Sequence, residues 1–512
     1  MGTRAGLAGD LDLEIELKLV CDPAGLPALL DHPALSDLAG APEERLLSTY
    51  FDTPDRALRA HQLALRIRRE GRVWIQCLKG AGSYLGGLHQ RVEHEARVEG
   101  RALDLSKLPV TGAWGELFRG PIDPQALQPC CVTDIRRRRS TVHGENGARI
   151  EVALDRGTIR AGRRRSKLCE LELELQEGDP VELFRLAHRL VERVPLRVEP
   201  LNKAEHGYRL GADAPAVISK AKVPELDSAQ DLYSALRASL AECVRHYHGN
   251  EAAVLAAEVE GVHQLRVALR RLRACANVFK PFLEPTARNA LRLEVGWLNE
   301  VLGPIRDWDV FMEGLQPLQR MRQEDKGLQR LLASGRRLRC AHHQELLQRM
   351  RSTRYTAFQL MLGEWVLAPP LTADAPRSEA VAVFARKVLK RLHRRLRRDG
   401  AQFDELGTDA RHRLRIRTKR LRYALQFFGR LYDADRSKRL ADALAAVQDS
   451  LGALNDLAVV ERLMDEAGSG SQALTRALVD GWSLAHAHHQ MDHAREAWDG
   501  FLAAPRPWKS KG

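Results

Sequence analysis

The sequence predicts an α+β protein: an antiparallel β-barrel with a charged lumen and interspersed helices, followed by an all-α domain. Three observations carry this expectation. Apolar residues alternate with charged ones at period two up to about residue 210. Beyond that point they recur every three or four residues, and one helical stretch occurs twice. At 512 residues the chain is also too long for a single hydrophobic core. With 44% hydrophobic and 29% charged residues it has the balance of a folded protein.

The first half reads as strands with one apolar face. Leu13, Ile15, Leu17 and Leu19 alternate with Glu14, Glu16 and Lys18; Leu63, Leu65 and Ile67 with Ala64, Arg66 and Arg68; Leu171, Leu173 and Leu175 with Glu170, Glu172 and Glu174. The face opposite the apolar one carries Glu, Arg and Lys almost to the exclusion of Ser, Thr and Asn. An ordinary solvated face has no reason for that restriction, whereas a closed barrel with a charged interior does. Helical stretches at 24–30 and 180–194 interrupt the strands. The small, proline-bearing segment 211–224 reads as a linker between a domain at 11–210 and a helical domain at 225–505.

In the helical half, His263 to Arg273 returns as His412 to Arg422, and the same spacing carries Phe279 to Phe428, Leu302 and Gly303 to Leu451 and Gly452, and Asp307 to Asp456. Two repeats, about 225–365 and 375–505, are expected. On a helix, His263, Arg266, Arg270 and Arg273 fall within an arc of roughly 80°. Leu265, Leu269, Leu272 and Ala276 form a separate, apolar stripe. His412, Arg415, Lys419 and Arg422 repeat the cationic face. A single basic stripe is ordinarily solvated helix surface. Two equivalent stripes around one groove would repel each other unless an anion neutralised them. A basic run at 386–398 could extend that groove.

The formal charge of +13 and pI near 9.5 point to a polyanionic partner. Nucleic acid, an acidic membrane face and polyphosphate all qualify. Aromatics at 5% leave few platforms for stacking bases, and no helix-turn-helix or RNA-binding motif is visible, so no specific nucleic acid is expected. The eight cysteines are scattered, without zinc spacing, and read as reduced thiols. With no apolar signal core at the N-terminus and no run long enough for a membrane span, a cytoplasmic protein is expected.

Glu14, Glu16 and Lys18 place charges on one strand face at about 7 Å intervals. Together with Glu170, Glu172 and Glu174, and with Glu93 and Glu95, the carboxylates are candidate ligands for one or two hard divalent cations, Mg2+ or Mn2+. Arg66, Arg68, Lys79, Arg91, Arg136, Arg138 and Lys203 supply the opposite sign. A lumen with both sets suits a metal-bound oligophosphate.

These residues resemble a known pairing. Glu14-x-Glu16-x-Lys18, with 50–54, 65–68, 87–91, 151–155, 169–174 and 202–208, is similar to the CYTH family of triphosphate tunnel metalloenzymes. The resemblance implies an eight-stranded tunnel barrel, with Glu14, Glu16 and Lys18 as candidate catalytic residues. The helical half resembles CHAD domains, which implies two repeated four-helix units binding inorganic polyphosphate through the two cationic stripes. Asn455 stands where the first repeat has Arg306. The tandem resembles bacterial inorganic triphosphatases, so inorganic triphosphate and long-chain polyphosphate are the expected partners and polyphosphate granules an expected address. Thiamine triphosphate hydrolysis, ATP cyclisation and non-catalytic polyphosphate binding stay open, as do the oligomeric state and the carboxylate that activates water.

Overall fold

The structure, a computed structural model, describes residues 12–109, 112–211, 217–375, 377–468 and 473–508. Residues 212–216 of the expected linker lie outside the described residues, as do the side chains of Asn455 and Asp456. The chain divides into two units. The first comprises Met1–Pro215 and Met350–Ala368, and the second Ala216–Arg349 and Pro369–Gly512.

The first unit is an antiparallel barrel of β1 (Asp12–Cys21), β2 (Glu44–Asp52), β3 (Ala64–Glu70), β4 (Val73–Leu85), β5 (Leu88–Val98), β6 (Gln128–His143), β7 (Arg149–Ala161) and β8 (Arg164–Glu177), with a short β9 (Leu196–Val198) on β1. The order is β5-β4-β3-β2-β6-β7-β8-β1, and pairing of β1 with β5 closes the ring. Register sets charged positions at one level: Glu16 lies opposite Glu174, Lys18 opposite Glu172, Lys79 opposite Glu93 and Arg137 opposite Asp155. Since side chains alternate between faces, these charges share the lumen.

The apolar set points outward and is covered. Leu17, Leu19, Leu171 and Leu173 are fully buried against Leu183, Phe184, Leu186 and Leu190 of the helix Val181–Val191. Each such side chain removed from water contributes about 1.5–3 kcal/mol. Leu360, from the helix Thr353–Leu367, completes the same core. That helix therefore belongs to the barrel unit, although the repeat-based division places it within the first helical repeat.

The second unit is helical among its described residues. Its two repeated helices, Val259–Val278 and Thr408–Phe428, carry the expected apolar stripes: Leu265, Leu269, Leu272, Leu414 and Leu421 are buried completely. They lie side by side. Phe279 and its mate Phe428 meet with ring centroids 5.9 Å apart, and Arg270 Nε donates to Tyr423 Oη at 3.1 Å.

Candidate active site

The barrel encloses a cavity of about 340 Å³. Its wall takes alternate residues from each strand, among them Glu14, Glu16 and Lys18 of β1, Arg66 and Arg68 of β3, Arg91, Glu93 and Glu95 of β5, and Glu172 and Glu174 of β8. Lys79, Arg137, Arg139, Glu151 and Asp155 join them, and Lys203 enters from the helix Lys203–Gly211.

Around Lys203, four carboxylates share three cations, and each has a cationic partner. Lys203 Nζ lies 2.8 Å from Asp155 and 2.8 Å from Glu172 and also pairs with Glu170; Arg137 grips Asp155 through two 2.6 Å bonds and reaches Glu172 at 2.5 Å. Lys18 pairs with Glu16 at 2.9 Å and with Glu172. Burial opposes ionisation of Glu172, but Lys18, Lys203 and Arg137 outweigh it and hold the carboxyl well below the usual range. Burial likewise works against the Lys18 ammonium, and Glu16 and Glu172 overcome it, raising its pKa.

Asp155, Glu170 and Glu172 approach closely enough to hold a cation. In this structure Lys203, Arg137 and Lys18 neutralise the same three carboxylates. The cluster of Cys77, Glu93 and Glu95 is served in the same way. Lys79 lies 3.0 Å and Arg66 3.8 Å from Glu93, and Arg68 lies 3.4 Å from Glu95. Although burial resists it, Lys79 and Arg66 bring the Glu93 carboxyl down to about 2.

Around Glu174 the pairing fails. Glu174 is flanked across the sheet by Glu16 on β1 and Glu151 on β7. Burial, with Glu14 and Glu151 beside it, pushes its carboxyl up to about 7. Lys79 answers Glu14, bonding both its oxygens at 2.7 Å. Glu174 is thus left without an ion pair among the described residues, and carboxylate oxygens are the donors a hard divalent cation takes. Arg91 presents the complementary case: it lines the cavity and has no ion pair among the described residues.

The structure brings Glu14, Glu16, Lys18, Arg66, Arg68, Lys79, Arg91, Glu93, Glu95, Glu172, Glu174 and Lys203 into one lumen. Three expected site residues fall elsewhere. Arg136 and Arg138 face outward, Arg136 with a 70% exposed side chain against Glu43 and Arg138 donating to Ala39 O at 2.8 Å. Their neighbours Arg137 and Arg139 point inward, because Arg137 must pair with Asp155. Glu170 shares the inward face but is sealed completely beneath Lys203, away from the cavity wall. Its carboxyl is raised by burial, against the pull of Lys203. Sequence reasoning missed Arg137, Arg139, Glu151 and Asp155 as site residues. The alternation Glu151, Ala153, Asp155 was the available signal.

In the second unit, His263, Arg266 and Arg270 are half-buried and Arg273 is exposed; in the mate helix His412 is exposed while Arg415, Lys419 and Arg422 are half-buried. Arg266 Nε and Nη1 and Arg415 Nε are buried without hydrogen-bond partners. Burial, with Arg270 nearby, brings Arg266 down to about 10. Glycines seat both guanidiniums: a Cβ on Gly303 would stand 3.2 Å from Arg266 Nη1, and one on Gly452 3.6 Å from Arg415 Nη2. Burial, with Arg306 adding to it, lowers the His263 imidazole.

Comparison with known families agrees with both halves. Residues 12–208 match the CYTH domain and residues 238–465 the CHAD domain. The chain carries a CYTH domain followed by a CHAD domain. Over 200 residues, 39% of this chain, it is 32% identical to the inorganic triphosphatase of Haemophilus influenzae, so it spans 55% of that relative's length. An uncharacterised protein of Mycobacterium tuberculosis is 25% identical over 468 residues, 86% of this chain and 87% of its own. A crystal structure of the CHAD domain from the plant Ricinus communis is 32% identical, covering 58% of this chain and 99% of that one, with a TM-score of 0.49. No helix among the described residues is long and apolar enough to cross a membrane.

Proposed function

We propose that the CYTH domain is a metal-dependent inorganic triphosphatase, cleaving tripolyphosphate to diphosphate and phosphate, and that the CHAD domain binds long-chain inorganic polyphosphate. The supporting observation is the unequal charge balance of the tunnel. Glu174, crowded by Glu14, Glu16 and Glu151, has no ion pair of its own among the described residues, and it stands near an arginine, Arg91, that has no carboxylate of its own among them. A linear oligophosphate with its cation supplies both missing signs.

In this reading Glu14, Glu16 and Glu174, assisted by Glu151, would hold Mg2+ or Mn2+. Such a cation would offset charge on the phosphate oxygens and acidify a bound water. Arg91, Arg66 and Arg68 grip non-bridging oxygens as planar forks. Lys18 and Lys79 contribute point charges. Water attacks the terminal phosphorus in line and yields its proton to one of the tunnel carboxylates, the bridging P–O bond breaks, and diphosphate leaves with the electron pair. In the CHAD domain, the partnerless nitrogens of Arg266 and Arg415 are grips for a longer chain, which makes polyphosphate granules a natural address.

The test is phosphate release from tripolyphosphate, ATP and thiamine triphosphate, each with Mg2+ or Mn2+ and with EDTA. Turnover of tripolyphosphate well above the two esters, silenced by EDTA, is expected. Preference for either ester would assign the tunnel to another triphosphate chemistry. Polyphosphate binding with no phosphate release under any metal would reduce the protein to a binder.

A further inference from the structure

Three buried hydroxyls on the helices of this chain bond back to their own helix, while a fourth, Ser437, donates to Gly429 O in the turn just before its helix at 3.0 Å. Ser239 donates to Ala235 O at 2.8 Å, Thr418 to Leu414 O at 3.0 Å and Ser450 to Ala446 O at 2.9 Å. That local bond satisfies the hydroxyl without involving any other element. Thr356, with no exposed surface, reaches much further along the chain. Its Oγ1 leaves the helix Thr353–Leu367 and donates to Leu196 O of β9 at 2.7 Å, across 160 residues of chain.

From β9 the contact runs straight to the tunnel. Leu196 lies opposite Cys21 and Val198 opposite Leu19 on β1. The next residue, Glu199, donates its N–H to Lys18 O at 2.9 Å, and His89 Nε2 bonds Glu199 O at 3.0 Å. Lys18 is the lumen cation held by Glu16 and Glu172.

The same helix also touches the turn between β4 and β5. A Cβ on Gly363 would lie 2.1 Å from Gly86 O and 2.5 Å from the Phe184 ring, so only glycine permits this approach. Gly86 itself has φ +62°. The strands leaving that turn carry Lys79 and Arg91. Leu360, between the two contacts, is buried in the core shared with Leu17 and Leu19.

We propose that the helix Thr353–Leu367 is a working part of the tunnel and that Thr356 is a positioning residue, setting Lys18 through β9. It touches neither substrate nor reacting atoms. A helix serving only to cover the apolar outside of the barrel would need Leu360 and the neighbouring side chains. It would not need a buried hydroxyl aimed at a strand.

The test uses the full chain with Thr356→Val, which keeps shape and loses the hydroxyl, and Thr356→Ser, which restores it. Hydrogen exchange at Leu196–Glu199 and in β1 should speed by roughly five- to tenfold in the valine variant, the loss of one net hydrogen bond. KM for tripolyphosphate should rise several-fold with kcat less affected, and serine should recover both. Only the kinetic readout rests on the triphosphatase reading; if the wild type turns over no tripolyphosphate, that reading fails while the exchange comparison still decides the positioning. Wild-type exchange in Thr356→Val, unchanged KM in an active enzyme, or failure of serine to rescue would each overturn the proposal. Gly363→Ala is an independent probe, since its Cβ must displace the Gly86 carbonyl. Exchange should rise at Gly86 and Gly87, and unchanged exchange there would separate the helix from the tunnel.

Discussion

Arg91 and Glu174 mark where the protein leaves its own charge unbalanced, and they respond to substitution in different ways. Arg91→Lys keeps the charge but loses the planar fork, so KM for tripolyphosphate should rise roughly tenfold with the metal requirement unchanged. Unaltered kinetics would show that this guanidinium does not meet the substrate. Glu174→Gln relieves the crowding of carboxylates and removes a ligand, so a titration with Mn2+ should show affinity weaker by at least roughly tenfold. An unchanged metal titration would take Glu174 out of the metal set. His393, in the helical unit, bears on stability. It is buried between Phe501 and Trp508, with ring centroids 5.4 and 5.5 Å away. Burial, with Arg397 and Arg506 adding to it, lowers its imidazole to about 4. The unfolded chain, with a histidine pKa near 6.5, binds the proton first. Stability is therefore complete above about pH 6.5 and is lost as pH falls towards 4, by at most roughly 3 kcal/mol. His393→Phe should flatten the dependence of the unfolding temperature on pH in that window. An equally steep dependence would assign the acid sensitivity to other groups, such as His246, which burial and Arg271 also bring down to about 4.

At the level of elements, β6 shows what alternation can and cannot say. The run Arg136, Arg137, Arg138, Arg139 has no apolar partner to reveal which members face in. Parity comes from the neighbouring strand, where Asp155 stands opposite Arg137. The two classes should differ sharply on mutation. Arg137→Ala strips Asp155 and Glu172 of a buried partner and should cost about 3–5 kcal/mol in chemical denaturation. Arg136→Ala, removing an exposed pair with Glu43, should stay within about 0.5 kcal/mol. Equal effects would mean that the inward assignment of Arg137 is wrong. β1 and β8 were easier to read, because Leu17, Leu19, Leu171 and Leu173 declare the outer face at every second residue.

For the whole molecule, duplication in the sequence corresponds to contact in space: Phe279 meets Phe428, and Arg270 meets Tyr423. If the CHAD domain binds long polyphosphate through both repeats, affinity of the full chain should fall steeply with salt, as counterions released from the polyanion make binding costly to reverse only when salt is low. Arg266→Ala and Arg415→Ala should each weaken binding while tripolyphosphate turnover persists. Equally tight binding of DNA at matched charge would leave the domain a general cation surface. Loss of turnover in both variants would contradict the division of labour.

By itself the sequence determined the barrel, its charged lumen, the helical half and the duplicated helices, because burial obeys the short periods of strand and helix and repeats need no coordinates to be seen. Most lumen residues followed from the same alternation. The tertiary structure alone decided which charges cancel. Glu170 and Glu174 occupy identical positions in the alternation, yet one is sealed under Lys203 and the other stands among Glu14, Glu16 and Glu151. It alone placed the helix Thr353–Leu367 in the barrel unit, since Thr356 and Leu196 are joined by a bond across 160 residues, a distance over which no local pattern carries information.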